Sequence, residues 1–260
     1  MTMLLPHLET NVTLACQLKC VGCNHYTPLR KSAEKADPEQ IGRDLTALRE
    51  VARTAIWAAL GGEPLLHPQL VEILGIVRAT GVADMIEVWS NGLLLRKQPP
   101  TFWQAFDKLV VSVYPDQHSD DDLRWMFRTA KEHGRQVEFK DARGAGYFRT
   151  LLYDRLATEE EARAIYQSCW YRTYCHVVDA GVFYRCCTSP FVAPLILGLP
   201  KGTDGIPLEG LTEERLAAFL HQEQVPAACY RCAGHAGPPI QWKEADSRQT
   251  WLAESMGARA

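Results

Sequence analysis

Nine cysteines are the residues of this chain best suited to do chemistry, and they fall into two groups. Cys16, Cys20 and Cys23 form a C-x3-C-x2-C run near the start, and no further cysteine occurs until Cys169. The second group reads Cys169-x5-Cys175-x5-Gly181-x4-Cys186-Cys187, followed by Cys229-x2-Cys232. In a reducing compartment, grouped cysteines point to metal ligation or catalysis rather than to disulfides. Three thiolates on one short loop suit an iron–sulfur cubane with three protein-held irons and one iron left open. Zinc usually gathers four ligands and would need a distant fourth here. In the later group, a hairpin that ends in a cysteine, joined by a remote C-x2-C pair, can build a four-thiolate site for a second cluster or for structural zinc.

The elements that must carry these thiols follow a clear rhythm. Leu8–Leu14 reads as a strand running into Cys16. Asp37-Pro38-Glu39-Gln40 is a helix start, after which Ile41, Leu45, Leu48 and Ala52 mark one face. A strand over Ala55–Leu60 ends at Gly61-Gly62, and a helix opening at Pro68 closes at Gly81. Met85–Trp89 is a strand ending in Ser90-Asn91-Gly92; strands at Leu109–Val113 and Gln136–Phe139 flank a helix near Asp120–His133. Five strand–helix steps predict an α/β fold with a parallel sheet, as in a partial (β/α)6-type TIM barrel rather than a closed eightfold one. The rhythm stops after about residue 142, where Gly144, Gly146 and an acidic helix over Thr158–Tyr166 lead into the cysteine-rich tail. A β-hairpin is expected over Asp179–Tyr184 with Ala180-Gly181 as its turn. The expected division is residues 1–155 as barrel core and 156–260 as a small cysteine-rich domain.

Composition bounds the partners. Apolar residues make up 47% and charged residues 23% of 260, ordinary values for a globular protein. A net charge of −3 gives no global field for nucleic acid or an acidic membrane surface. The opening MTMLLPHLETNVTL lacks a basic n-region and a cleavage site, and no apolar run approaches the roughly 18 residues of a membrane span. A cytoplasmic protein is expected, without nucleic-acid or membrane partners, and a monomer.

The C-x3-C-x2-C loop after the first strand resembles that of the radical S-adenosylmethionine (SAM) superfamily. Two more segments match in order and context: Gly61-Gly62-Glu63-Pro64 at the end of the second strand and Ser90-Asn91-Gly92 at the end of the third. The resemblance implies a 4Fe–4S cluster on Cys16, Cys20 and Cys23, with SAM chelated to the open iron. It further implies that the Gly61–Pro64 segment holds the methionine ammonium, and that Ser90 and Asn91 contact the ribose or the methionine carboxylate. Many members carry an aromatic residue just before the third cysteine; Gly22 stands there, so Asn24, His25 or Tyr26 is expected to contact the adenine. Such enzymes cleave SAM reductively, with an electron from flavodoxin or ferredoxin, to a 5′-deoxyadenosyl radical that abstracts hydrogen from the substrate.

The tail resembles the twitch domain, the short form of the SPASM domain, which implies an auxiliary 4Fe–4S cluster on Cys169, Cys186, Cys229 and Cys232. Exchanging Cys175 for Cys169, or Cys187 for Cys186, gives alternative ligand sets. Length and cysteine layout resemble the radical dehydrogenases of the twitch type. Oxidation of a small polar substrate (a sugar, aminocyclitol or nucleoside) is then expected, with the auxiliary cluster taking the second electron. The chain starts only 15 residues before Cys16, which is expected to leave no room for an N-terminal peptide-recognition domain. The spare thiols, Cys175 and Cys187, leave a second reading open: a redox-neutral epimerase or peptide-modifying enzyme in which one of them donates a hydrogen atom. A non-catalytic iron–sulfur or zinc protein would not need the GGEP and SNG segments. Ser112, Tyr114, Asp116 and His118 after the fourth strand, and Lys140, Asp141 and Arg143 after the fifth, are candidates to face a substrate. Trp57, Trp89 and Phe139 are expected in the core.

Overall fold

The computed structural model describes residues 3–30, 34–144 and 147–257. Its first half alternates strand and helix: β1 (Met3–Thr13), α1 (Pro38–Arg49), β2 (Ala52–Gly61), α2 (Leu70–Thr80), β3 (Ala83–Ser90), α3 (Phe102–Ala105), β4 (Lys108–Val113), α4 (Asp120–Glu132) and β5 (Gln136–Asp141). Two short strands, β6 (Phe148–Arg149) and β7 (Leu152–Tyr153), precede helices α5 (Glu159–Ser168) and α6 (Tyr171–Tyr174). The hairpin β8 (Cys175–Asp179) and β9 (Val182–Tyr184) leads to α7 (Ser189–Ile196), β10 (Gly205–Pro207) and α8 (Glu213–His221). The chain then runs through β11 (Pro239–Ile240), α9 (Arg248–Ser255) and β12 (Met256–Gly257).

One eight-stranded sheet organises these elements in the order β10-β9-β8-β1-β2-β3-β4-β5. The run from β8 through β1 to β5 is parallel throughout, and β9 and β10 add antiparallel strands at one edge. This is the partial-barrel α/β architecture that the strand–helix rhythm predicts. The sheet nevertheless crosses the boundary expected near residue 155, because β8 pairs with β1 at His7↔Cys175 and Glu9↔Val177.

Alternation along the strands separates two faces. Leu8 and Val12 of β1 with Trp57 and Ala59 of β2 join the principal core, into which α1 contributes Ile41, Leu45 and Leu48 and α2 contributes Leu70, Ile73, Leu74 and Val77. Burying each such leucine or isoleucine is worth about 1.5–3 kcal/mol. Helix ends follow local chemistry. The Asp37 side chain accepts from Glu39 N, Gly81 ends α2 in the left-handed region, and reciprocal capping boxes start α4 at Ser119/Asp122 and α5 at Thr158/Glu161. Pro68 does not open α2, which begins at Leu70 behind a His67 ring that accepts from Gln69 N. Gly146 lies outside the described residues.

Candidate functional site

The backbone leaves β1 at Thr13 and enters the loop that carries Cys16, Cys20 and Cys23. All nine cysteines are free thiols. Nitrogen donors converge on the loop's sulfurs: Leu18 N lies 3.4 Å and Asn91 Nδ2 3.9 Å from Cys16 Sγ, and Trp242 Nε1 lies 3.2 Å from Cys20 Sγ. Burial and the neighbouring thiols push the Cys16 thiol up to about 12, and the same causes raise Cys20. Three thiols crowded on one loop, two of them with N–H donors aimed at sulfur, fit a cationic iron centre that would favour the thiolates.

The Gly61–Pro64 segment meets this loop backbone to backbone. Gly62 N donates to Thr13 O at 2.7 Å and Glu63 N to Ala15 O at 2.7 Å. A Cβ at Gly61 (φ +128) would sit 2.0 Å from Thr13 O, and one at Gly62 would sit 2.1 Å from Ala15 O. The glycine pair is therefore required by the approach of two strand ends. Glu63 differs from expectation. It is fully buried, and its carboxylate accepts from Leu65 N (3.0 Å), Ser90 Oγ (2.8 Å) and Asn91 N (2.8 Å). Its side chain ties the second strand end to the third instead of facing the cavity, and burial raises its pKa to about 7 against those three donors. Pro64 is buried at the start of a single 3-10 turn. Asn91 reaches back to the cysteine loop by accepting from Gln17 Nε2 at 3.0 Å, and its carbonyl is held 2.6 Å from His118 Nε2.

Gly22 has a local cause as well. Its φ is +73, and a Cβ there would lie 2.8 Å from Arg149 O and 2.9 Å from Ile240 Cδ1. An aromatic residue has no room where β6 and β11 press on the loop. The suggestion that Tyr26 contacts a cofactor is corrected: Tyr26 is fully buried, with its ring 5.9 Å from Phe191 and 5.4 Å from Trp251. Asn24 and His25 do reach the cavity, and His25 Nδ1 lies 3.0 Å from Asn11 Oδ1. Burial, helped by Arg30, lowers the His25 pKa to about 4.

A cavity of about 570 Å³ opens beside the cysteine loop on the inner face of the sheet, with Gly22, Gly61, Gly62, Ser90 and Asn91 in its wall. Polar residues from separate strands face it: Glu9 of β1, Ser112 of β4, Lys140 of β5 and Arg149 of β6. Ser112 Oγ is 3.0 Å from Tyr147 Oη. Trp89, expected in the core, lines the cavity with its Nε1 donating to Glu87 at 2.7 Å, whereas Trp57 is fully buried. Phe139 packs against the principal core. Tyr114 lies behind the wall, stacked on Trp242 at 5.5 Å. Asp141 and Arg143 pair with each other on the surface, and Asp116 takes a left-handed φ of 57 in the turn. Cys175 and Cys187 also line this cavity and belong to one buried cluster with Val177 and Tyr184. His7 escapes a reading that starts the strand at Leu8, and Glu9 lies within that strand unremarked, although polar residues at 7, 9, 11 and 13 alternate with Leu8 and Val12.

A separate small pocket is lined by Cys169, Cys186, Cys229 and Cys232 together, without Cys175 or Cys187. Gly234 N donates to Cys232 Sγ at 3.2 Å, and the Ser189 hydroxyl lies 3.1 Å from Cys186 Sγ. Burial and neighbouring thiols push Cys232 up to about 12 and raise Cys229 and Cys169. Arg172 and Arg185 line the same pocket. Arg185 is 2% exposed and donates Nη1 to the Tyr166 hydroxyl, yet its Nε and Nη2 have no partner among the described residues. Four thiols facing an incompletely paired guanidinium fit an anionic four-thiolate metal group.

Comparison with known proteins agrees with this geometry. The model of the radical SAM superfamily matches residues 10–151, more than half of the chain, and the protein belongs to that superfamily. The family brings SAM and a 4Fe–4S cluster. Among curated proteins, the GTP 3′,8-cyclase of Chlorobaculum tepidum is 33% identical over 96 residues, 35% of this chain and 27% of that protein. A probable GTP 3′,8-cyclase of Methanococcus vannielii is 30% identical over 87 residues, 34% of this chain and 29% of that protein. The chain thus spans less than a third of the length of these two relatives. The crystal structure of BtrN in complex with AdoMet and 2-DOIA superposes with a TM-score of 0.53 at 16% identity, covering 85% of this chain and 84% of that one. That likeness is one of fold. Among the described residues, no helix is long and apolar enough to cross a membrane.

Proposed function

We propose that the protein is a radical SAM oxidoreductase of a small polar substrate, with Cys16, Cys20 and Cys23 holding the SAM-binding cluster and Cys169, Cys186, Cys229 and Cys232 holding an auxiliary 4Fe–4S cluster. When bound, cluster and SAM together supply the radical that removes a substrate hydrogen atom. The protein's own part is to bind, orient and exclude water. Gly61, Gly62, Ser90 and Asn91 give the SAM side of the cavity a wall of backbone and small polar groups. Lys140, Arg149, Ser112 and Glu9 offer both donors and acceptors to hydroxyl or amine groups, and Trp89 and Trp170 supply flat faces for a ring. The residues 1–155 then carry the radical chemistry, and 156–260 a twitch-like site joined to the same sheet.

The observation that carries the oxidative reading is the gathering of four thiols and two arginines in a pocket separate from the cysteine loop. Anaerobic reconstitution is expected to load about eight irons per chain, two cubanes' worth. About four irons, or zinc in the later cysteines, would remove the auxiliary cluster. Cys16→Ala should abolish release of 5′-deoxyadenosine under a flavodoxin- or dithionite-type reductant, whereas Cys229→Ala should spare it. A fully loaded protein that releases none would remove the enzyme reading itself.

A second reading, a redox-neutral epimerase or peptide-modifying enzyme, is favoured by Cys175 and Cys187 lining the cavity. Turnover in deuterium oxide separates the two: a donor thiol leaves one deuterium on product carbon, and oxidation leaves none.

A further inference from the structure

One group on the inner face of the sheet lies outside the residues assigned above to the two clusters and SAM. His7 and Glu9 point the same way from alternate positions of β1, and the parallel pairing of β1 with β8 sets Cys175 directly beside His7. His7 is 3% exposed, Glu9 6% and Cys175 7%. One ligand atom from each, imidazole nitrogen, carboxylate oxygen and thiol sulfur, lies within 4.8 Å of the others. His7 Nδ1 is 3.5 Å from Glu9 Oε1, and neither ring nitrogen of His7 has a hydrogen-bond partner among the described residues. A buried imidazole with two idle nitrogens is costly unless something else engages it. Tyr174 stacks on the ring at 5.3 Å, which fixes its plane without engaging a nitrogen.

We propose that His7, Glu9 and Cys175 bind one zinc ion whose open position faces the substrate cavity. Nitrogen, oxygen and sulfur together form a borderline-soft set that suits zinc better than a hard cation, and three protein ligands with a free fourth position are the arrangement of catalytic zinc. Tetrahedral zinc holds its ligand atoms roughly 3.3–3.8 Å apart, so the three side chains close by about 1 Å. A divalent ion with one carboxylate, one thiolate and one neutral imidazole is also charge-neutral, which suits a buried place. Cys187, buried in the same cluster as Cys175, stands as an outer-shell neighbour of its sulfur. Glu9 and Cys175 both line the cavity, so the fourth position opens toward the substrate. An alcohol or amine bound there would be polarised by the ion at the carbon whose hydrogen is removed. This role rests on the oxidative reading above; the metal site itself does not.

The test counts zinc and iron together in anaerobically reconstituted protein. The expected result is about one zinc per chain beside the full iron complement, with Glu9→Gln and His7→Ala lowering zinc at least tenfold and leaving iron unchanged. Zinc K-edge absorption of the unaltered protein supplies a measurement that does not depend on how the variants fold. One sulfur and two or three nitrogen or oxygen scatterers are expected. Four sulfurs would put the zinc among the later cysteines, and zinc below a tenth per chain would leave His7, Glu9 and Cys175 as a metal-free buried group; either result overturns the site. Because iron content and 5′-deoxyadenosine release report the cluster assignments independently, failure of the zinc site is distinguishable from failure of the oxidative reading.

Discussion

His176 sits 3% exposed on β8 with Nδ1 3.1 Å from the Arg185 carbonyl oxygen, and burial lowers its pKa to about 4. The folded protein keeps the ring neutral in a range where the unfolded chain, with a pKa near 6.5, takes up a proton. The stability it contributes is therefore present above about pH 6.5 and lost as pH falls toward 4. His176→Gln keeps a donor for Arg185 O and removes the titration. Its cost relative to the parent should be about 2 kcal/mol smaller at pH 5 than at pH 7, read from urea unfolding at both values. Equal costs at the two pH values would show that the ring is not held neutral. At this scale the sequence is legible where short spacing brings like side chains together, as for Cys16, Cys20 and Cys23, which share one packed cluster. It is not legible where direction decides. Glu63 carries an acid's chemistry but spends it on Leu65, Ser90 and Asn91, and Tyr26 turns into the packing around Trp251.

The β8–β9 hairpin shows both what can and what cannot be read for an element. Ala180 and Gly181 take φ of 47 and 80, the left-handed pair that a tight two-residue hairpin turn requires. Gly181 N is anchored by Asp44 Oδ2 at 2.8 Å, which ties the turn to α1. The turn was visible as Ala-Gly between β-prone residues, as were the glycine at the end of α2 and the acidic start of α5. The partner of β8 was not, because its register against β1 depends on contacts across more than half the chain. For the same reason the sheet runs across the boundary expected near residue 155. Ala180 bears the strain of a left-handed Cβ, a conformation that costs an L-residue roughly 1–2 kcal/mol, part of which glycine returns as unfolded-state entropy. Ala180→Gly should raise unfolding stability by about 0.5–1 kcal/mol in a denaturant titration. A loss of stability would mean that the turn is not left-handed at this position.

Across the whole molecule, the last stretch of the described chain folds back over the first functional loop. Val21 N donates to Lys243 O at 2.9 Å, Ala245 N to Lys19 O at 2.9 Å, and Gly22 N to Ser255 Oγ at 3.0 Å. Trp242 points its indole N–H at Cys20 Sγ, while Trp251, fully buried, donates Nε1 to Cys20 O at 2.8 Å. No motif announces these contacts, since each is a single residue whose partner lies more than two hundred positions away. Their consequence is that the cysteine loop is held from both ends of the chain, so the rigidity of the proposed SAM-cluster site depends on α9. Trp251→Phe keeps most of the buried ring and deletes only the donor, leaving Cys20 O with Cys23 N, at 3.2 Å, as its remaining partner. That should cost about 0.5–1.5 kcal/mol in unfolding. It should also loosen the loop selectively. Under a chelator challenge of reconstituted protein, the iron held by Cys16, Cys20 and Cys23 should leave several-fold faster than in the parent, while iron in the Cys169–Cys186–Cys229–Cys232 pocket leaves at the parental rate. Equal acceleration of both fractions would mean that Trp251 only stabilises the fold at large; no acceleration of either would mean that Cys23 N alone suffices to hold the carbonyl of Cys20.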